Sequence, residues 1–123
     1  MKKPKLADMT VDQLVDRFAE IGMAQNDALW DGKYARFNRL YDQMDDVSQE
    51  LKRRGKEARL ALLRLYNHRD IQVRLKAAVH TLAVAPDLAR HALQVIADSK
   101  FYPQAGDAGM LLDGLDDGSF KPE

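Results

Sequence analysis

The stretch that decides the fold is "HRDIQVRLKAAVHTL", residues 68–82. Asp70 stands where a helix N-cap is expected, because a carboxylate there accepts hydrogen bonds from backbone N–H groups that the helix leaves unpaired. Arg74 follows four residues later on the same helical face, and we predict that it pairs with Asp70. Ala77 and Ala78 leave room for a neighbouring helix to approach closely. The stretch therefore predicts a packed helix in which Asp70 and Arg74 are structural residues.

Helical periodicity continues along the chain, and no alternating run of apolar and polar residues predicts a strand. Thr10 and Gln13 fit a capping box at the start of the first helix, and Pro86 suits the first position of a later one. The predicted helices cover residues 11–30, 33–54, 56–67, 71–84, 86–98 and 103–113. A basic N-terminal tail, residues 1–9, precedes them, and a loop or tail rich in Gly and Asp, residues 114–123, follows.

The second half of the chain contains a weak internal repeat. A shift of 30 residues places Leu63 on Leu93 and Ala78 on Ala108, so that large apolar residues match large ones and small ones match small ones. Two helical hairpins repeated in this way predict a stack in which each unit packs against its neighbour.

A short string in this repeat resembles the second-helix signature of HEAT and armadillo-like repeats; its residues are Asp70, Val73, Arg74, Ala77, Ala78 and Leu82. The segments "TVDQLVDRFAEIGMAQ", "ELKRRG", "ALLRLYNHRDIQVRLKAA" and "LLDGLDDG" are similar to a small bacterial family of HEAT-like proteins without an established activity. The resemblance implies one all-α domain over residues 1–123. In it, two long N-terminal helices precede two short helical hairpins in a right-handed stack. It also implies a partner-binding role of the immunity or regulatory type.

Composition excludes several classes of protein. The chain has no cysteine, so disulfides and thiolate metal sites are excluded, and its 46% hydrophobic and 31% charged residues are typical of globular proteins. No apolar run approaches the ~20 residues of a membrane helix, and the basic start lacks the apolar segment of a secretion signal. We therefore expect a soluble, cytoplasmic protein.

Charge is unevenly distributed although the formal net charge is zero. Residues 50–76 carry a net charge of +6, whereas residues 1–49 carry −2 and residues 77–123 carry −4. The basic patch at the centre consists of Lys52, Arg53, Arg54, Lys56 and Arg59. Phosphate binding requires such a patch, so nucleic-acid binding through residues 52–76 is the alternative function.

No set of residues predicts catalysis or a cofactor. The three histidines, His68, His80 and His91, lack the spacing of a helical zinc site. The "DGLDDG" segment lies too near residue 123 to supply the last glutamate of a calcium loop. Neither a serine nucleophile motif nor a glycine-rich phosphate loop is present. We predict a protein that is not an enzyme and that holds no metal or cofactor.

Four aromatic residues follow one another near the turn between the two long helices: Trp30, Tyr34, Phe37 and Tyr41. Their spacing favours packing in the core between these helices. If Trp30 and Tyr34 were exposed instead, they would be expected to anchor an interface, because Trp and Tyr dominate binding hot spots.

The predicted function is binding of a protein or peptide partner along the second helices of the two hairpins. Polar residues there project away from the core positions Val73, Ala77 and Ala78 on a helical wheel. The predicted partner strip consists of Arg69, Gln72, Lys76, His80, Tyr102 and Met110. We expect a monomer or a weak homodimer without membrane contact.

Overall fold

A computed structural model describes residues 5–123 and shows six α-helices, two 3-10 helices and no β-strand in that range. The α-helices are α1 (Val11–Trp30), α2 (Tyr34–Arg53), α3 (Lys56–Leu60), α4 (Ile71–Thr81), α5 (Pro86–Asp98) and α6 (Gln104–Asp117). The prediction of an all-helical protein is confirmed. Residues 1–4 of the predicted N-terminal tail lie outside the described residues, and Leu6–Asp8 form a 3-10 turn.

Two predicted helix starts are confirmed in atomic detail. The Thr10 hydroxyl accepts a hydrogen bond from the backbone N–H of Gln13, and the Gln13 side chain accepts one from the backbone N–H of Thr10. At the start of α4, Asp70 Oδ1 accepts hydrogen bonds from the backbone N–H groups of Gln72 and Val73. Both helices therefore begin where a side chain satisfies backbone donors.

The helices around α4 differ from the prediction. The predicted helix over residues 56–67 is α-helical only to Leu60 and continues as a 3-10 helix, Ala61–Asn67. No proline or glycine in that segment marks the change. Helix α4 ends at Thr81 instead of residue 84, and the Thr81 carbonyl oxygen accepts turn hydrogen bonds from the backbone N–H groups of Val84 and Ala85.

The C-terminal helix is longer than predicted, since α6 runs to Asp117 and includes the first four residues of the segment 114–123 that was predicted to be a loop or tail. Gly118 ends it in the left-handed conformation, with φ at 81°. The chain then folds back, and the backbone N–H of Phe120 donates to the carbonyl oxygen of Gly114 at 3.0 Å. A side chain at position 114 would bring a Cβ atom to 3.1 Å from Phe120 Cβ. Gly114 therefore permits this close return.

Residue contacts divide the chain into two compact units, one ending at Leu62 and the other beginning at Leu63. In the first unit α1 and α2 pack along each other, and their largest buried apolar side chains are Leu14, Phe18, Ile21, Leu40, Met44, Val47 and Leu51. In the second unit α5 packs against both α4 and α6, around a core of Leu75, Ala78, Leu82, Ala89, Leu93, Ile96 and Ala108. No helix in residues 5–123 is long and apolar enough to cross a membrane.

The predicted core packing of the aromatic group is wrong for three of its four members. Trp30 is 79% exposed, Tyr34 67% and Tyr41 54%, and only Phe37 is half-buried. The side chains that α2 buries lie further around the helix, at positions that include Leu40. The apolar stripe of α2 is thus wider than its buried part, and the two tyrosines lie on the exposed margin.

Candidate partner-binding site

The structure leaves most of the predicted partner strip accessible. The exposed members are Arg69, Tyr102 and Met110, and the half-buried members are Lys76 and His80. Burial lowers the pKa of Lys76, an effect that the carboxylate of Asp107 opposes. Burial likewise raises the pKa of Asp107, and Lys76 opposes that shift. Lys76 on α4 thus interacts electrostatically with a carboxylate of α6, and its contact with a partner stays a prediction.

Gln72 is the member of the strip that the structure contradicts. Its side chain is only 1% exposed, and its Oε1 accepts a hydrogen bond from Nε2 of the equally buried Gln104 at 3.0 Å. The two amides join α4 to α6, so the prediction that Gln72 contacts a partner is wrong. Helical periodicity indicated only that Gln72 lies away from Val73 and Ala77, and the helix that covers it could not be identified from that pattern.

A groove of about 330 Å³ lies in the second unit, between α4, α5 and the 3-10 helix Ala61–Asn67. We call it the α4–α5 groove. The side chains that form its walls include Tyr66, Asn67, Arg74, Leu88, His91 and Val95. It combines residues from three elements that are separated in the sequence, and only Arg74 and His91 among them were singled out by sequence analysis.

One wall of the α4–α5 groove is apolar and open to solvent. Leu88 is 57% exposed and Val95 52%. They lie seven residues apart on α5, which places them on one face two turns apart. Ala89 and Leu93 of the same helix are fully buried in the core. Helix α5 therefore has an apolar face wider than its core contact requires, and this excess is the signal that could have revealed the groove from the sequence.

The opposite wall carries a buried polar atom that lacks a hydrogen-bond partner. Arg74 Nε is buried, and no described residue accepts its hydrogen. The predicted pairing of Arg74 with Asp70 therefore does not occur through this atom, and Asp70 Oδ1 caps α4 instead. Arg74 is among the residues that line the groove, and an acceptor there that reached its guanidinium would remove the cost of the unpaired N–H group. A carboxylate suits a guanidinium best, because it can accept two parallel hydrogen bonds.

Tyr66 forms a fixed part of the same groove. Its hydroxyl lies 2.5 Å from Thr81 Oγ1, and the Thr81 hydroxyl donates to the carbonyl oxygen of Ala77 at 2.8 Å. The Tyr66 hydroxyl is therefore the donor to Thr81. Burial raises the pKa of Tyr66, an effect that the hydrogen bond to Thr81 opposes. This hydrogen bond holds the ring in place.

The histidines have separate positions. His68 Nδ1 accepts a hydrogen bond from the backbone N–H of Asp70 at 3.0 Å, so His68 supports the turn before α4. His80 is half-buried on α4, and His91 is exposed in the α4–α5 groove. Within residues 5–123, no three His, Cys, Asp or Glu side chains are grouped so that they could hold a metal ion.

Part of the basic patch is engaged inside the first unit. Glu50 accepts hydrogen bonds from Arg53 and from Arg54 Nε, the latter at 2.7 Å. Arg54 also donates to the carbonyl oxygens of Leu6 and Ala7. The other members of the patch are the exposed Lys52 and Lys56 and the half-buried Arg59. Two of its five cations are thus paired with Glu50, and one of them, Arg54, also holds the end of α2 to the N-terminal 3-10 turn.

Comparison with known proteins identifies the family of this chain. A family model described as a domain of unknown function, DUF2019, matches residues 12–116. The chain belongs to this family. The DUF2019 match includes all the residues that line the α4–α5 groove and the aromatic residues of the first unit.

A solved structure has the same fold. The protein RPA1889 from Rhodopseudomonas palustris CGA009 is 51% identical in sequence to this chain, with a TM-score of 0.94. The similarity covers 98% of this DUF2019 chain and 100% of that one. No curated protein matches the chain. The comparisons thus establish the family and the fold.

Proposed function

We propose that this DUF2019 protein is a non-catalytic interaction module that binds a protein or peptide partner in the α4–α5 groove. The observation that carries the proposal is the pairing of an exposed apolar wall with a buried Arg74 Nε that has no hydrogen-bond partner. The partner segment that fits this groove has apolar side chains that contact Leu88 and Val95 and a carboxylate that pairs with Arg74. Such a segment would bury apolar surface and also satisfy the guanidinium.

The proposal includes a HEAT-like arrangement of helices in the second unit, with α4 as the second helix of one hairpin and α5 with α6 as the next hairpin. Two observations support it. Helix α5 packs against both α4 and α6, and Gln72 and Gln104 join α4 to α6. Repeats of this kind present surfaces to partners, in agreement with an immunity-type or regulatory role.

The test is affinity capture from native cell extract, with the captured proteins identified by mass spectrometry. The wild-type chain is compared with Leu88→Asp and with Arg74→Met, which replace the apolar wall and the cation in turn. Ala83→Asp, a change at another exposed position of the same unit, is the matched control. We expect the wild type and the control to retain the same partner, and both groove variants to lose it.

Two results would contradict the proposal. One is retention of the partner by both groove variants. The other is loss of the partner on Met110→Asp alone, which would assign binding to the strip predicted along α4 and α6. For an immunity-type role, the captured partner is expected to be a toxin encoded by a neighbouring gene.

A further inference from the structure

The first unit exposes a group of aromatic side chains around the turn between α1 and α2. Trp30 is the last residue of α1, and Tyr34 is the first residue of α2. Tyr41 lies seven residues after Tyr34, on the same face of α2. All three side chains are more than half exposed. We call them the aromatic surface. Exposed groups of large apolar side chains are uncommon on monomeric proteins and mark interaction sites.

Acidic residues border the aromatic surface. Asp45 follows Tyr41 by four residues and Tyr34 by eleven, which places all three on one face of α2, and Asp42 lies beside them. Asp27 precedes Trp30 by three residues on α1, and Asp31 directly follows Trp30 as the C-cap residue. All four carboxylates are exposed, and none has a side-chain hydrogen bond or ion pair with the part of the chain that the structure describes.

The cations of α2 near this turn lie mostly elsewhere on the helix. Arg36 and Arg39 follow Tyr34 by two and five residues, which places them roughly 140–200° around α2 from it. Lys33, the residue before α2, is the cation beside the aromatic surface. Around Tyr34 and Tyr41 this face is therefore acidic, and the cation that shares it, Lys52, lies eleven residues beyond Tyr41 near the other end of α2.

We propose that the aromatic surface binds a cationic segment of another protein, one that carries several arginine or lysine side chains. A guanidinium or ammonium group is attracted to the face of an aromatic ring, and the four carboxylates attract the same positive charge. Nucleic acid is disfavoured, because its phosphates would face these carboxylates. A second copy of this chain is disfavoured as well, because two such faces placed together would bring like charges close to one another.

This inference is independent of the proposed function, because the residues of the α4–α5 groove belong to the unit that begins at Leu63. It also has its own spectroscopic reporter. Trp30 is the single tryptophan of the chain, so intrinsic tryptophan fluorescence observes the aromatic surface directly.

The experiment titrates the full chain at low ionic strength with a decapeptide of alternating arginine and glycine. We expect a saturable change in Trp30 fluorescence that weakens with added salt. The double variant Asp42→Asn/Asp45→Asn is expected to bind about 5- to 10-fold more weakly, as is Tyr34→Ala/Tyr41→Ala. Asp87→Asn/Asp113→Asn, which removes two exposed carboxylates of the second unit, is the matched control and should bind as the wild type does.

The inference would be overturned if both test variants bound the arginine peptide with unchanged affinity. It would also be overturned if a decapeptide of alternating aspartate and glycine changed Trp30 fluorescence equally. Saturable binding of a single-stranded oligothymidine in place of the arginine peptide would assign the surface to nucleic acid. A fluorescence change on raising the protein concentration alone, with dimers in analytical ultracentrifugation, would assign it to a second copy. Circular dichroism of each variant separates loss of binding from loss of folding.

Discussion

Gln72 and Gln104 are buried polar residues of α4 and α6 whose side-chain amides meet at 3.0 Å. Replacing Gln104 with Leu removes one donor to Gln72 Oε1 in a buried site. We expect the free energy of unfolding to fall by about 1–3 kcal/mol, because a buried acceptor loses this hydrogen bond. The double variant Gln72→Leu/Gln104→Leu should recover part of this loss.

Urea denaturation followed by far-UV circular dichroism measures the three variants, Gln72→Leu, Gln104→Leu and the double replacement. Their double-mutant cycle gives the coupling between the two side chains. Additive effects of the single replacements would show that the hydrogen bond does not couple α4 to α6.

Single residues were predictable where the physical cause is local. The caps at Thr10 and Asp70 depend on side chains and backbone groups within three residues of each other, so the sequence contains all that they need. The roles of Gln72 and Arg74 depend on other elements. Gln72 meets a residue of α6, and Arg74 faces α5 across a groove. A helical wheel gives the direction of a side chain but not what lies there.

Helix α6 contains two glycines whose replacement by alanine should have different effects. A Cβ at Gly109 would contact nothing within 4 Å, whereas one at Gly114 would lie 3.1 Å from Phe120 Cβ. Gly109→Ala should raise the free energy of unfolding by about 0.5–1 kcal/mol, because alanine favours a helix interior. Gly114→Ala should raise the free energy of unfolding by less, or lower it, because the added methyl group crowds Phe120. Thermal unfolding measures both, and an equal gain would contradict the close return of the tail.

The end of α2 should make stability depend on pH. Hydrogen bonds from Arg53 and Arg54 lower the pKa of Glu50 from 4.5 to about 2. A pKa lowered by folding stabilises the protein above the ordinary value, and this stabilisation is lost as pH falls from 4.5 to about 2. The difference in free energy of unfolding between the wild type and Glu50→Gln should therefore shrink over that range. A difference that stays constant would contradict the assigned pairing.

Helical periodicity predicted the secondary-structure elements, with its largest errors at two places, the end of α6 and the change from α-helix to 3-10 helix after Leu60. Glycine and aspartate at residues 113–118 suggested a loop, yet α6 continues to Asp117, and the missing side chain of Gly114 lets the tail pack back against it. The apolar stripe of α2 predicted a helix correctly, but it extends past the buried positions to Tyr34 and Tyr41. Spacing predicts which residues share a face and not how much of that face is covered.

For the whole molecule, we expect no retention on a DNA or RNA column at physiological salt. The formal net charge is zero, and Arg53 and Arg54 are already paired with Glu50. Nucleic-acid binding releases counterions, so any retention that exists must fall steeply with salt. Salt-dependent retention that is lost on Lys52→Glu/Lys56→Glu would instead favour the alternative function, nucleic-acid binding through residues 52–76.

At this scale the class of fold followed from the sequence, while the candidate site did not. An all-helical chain requires only the helical period and its end signals. The α4–α5 groove brings together Tyr66, Arg74 and Leu88 from three elements, and its existence depends on how those elements pack.

The boundary between the two compact units has a practical consequence. It falls between Leu62 and Leu63, inside the 3-10 helix Ala61–Asn67 and not in a loop. Proteases cut extended, exposed backbone far more readily than helical backbone. Trypsin should therefore cleave at Lys33, at Arg69 or at Lys100, which lie between helices, before it cleaves at Arg64. Cleavage at Arg69 would leave residues 63–69 of the second unit, with Tyr66, on the N-terminal fragment. Fragments that match the two units would therefore have to be expressed separately.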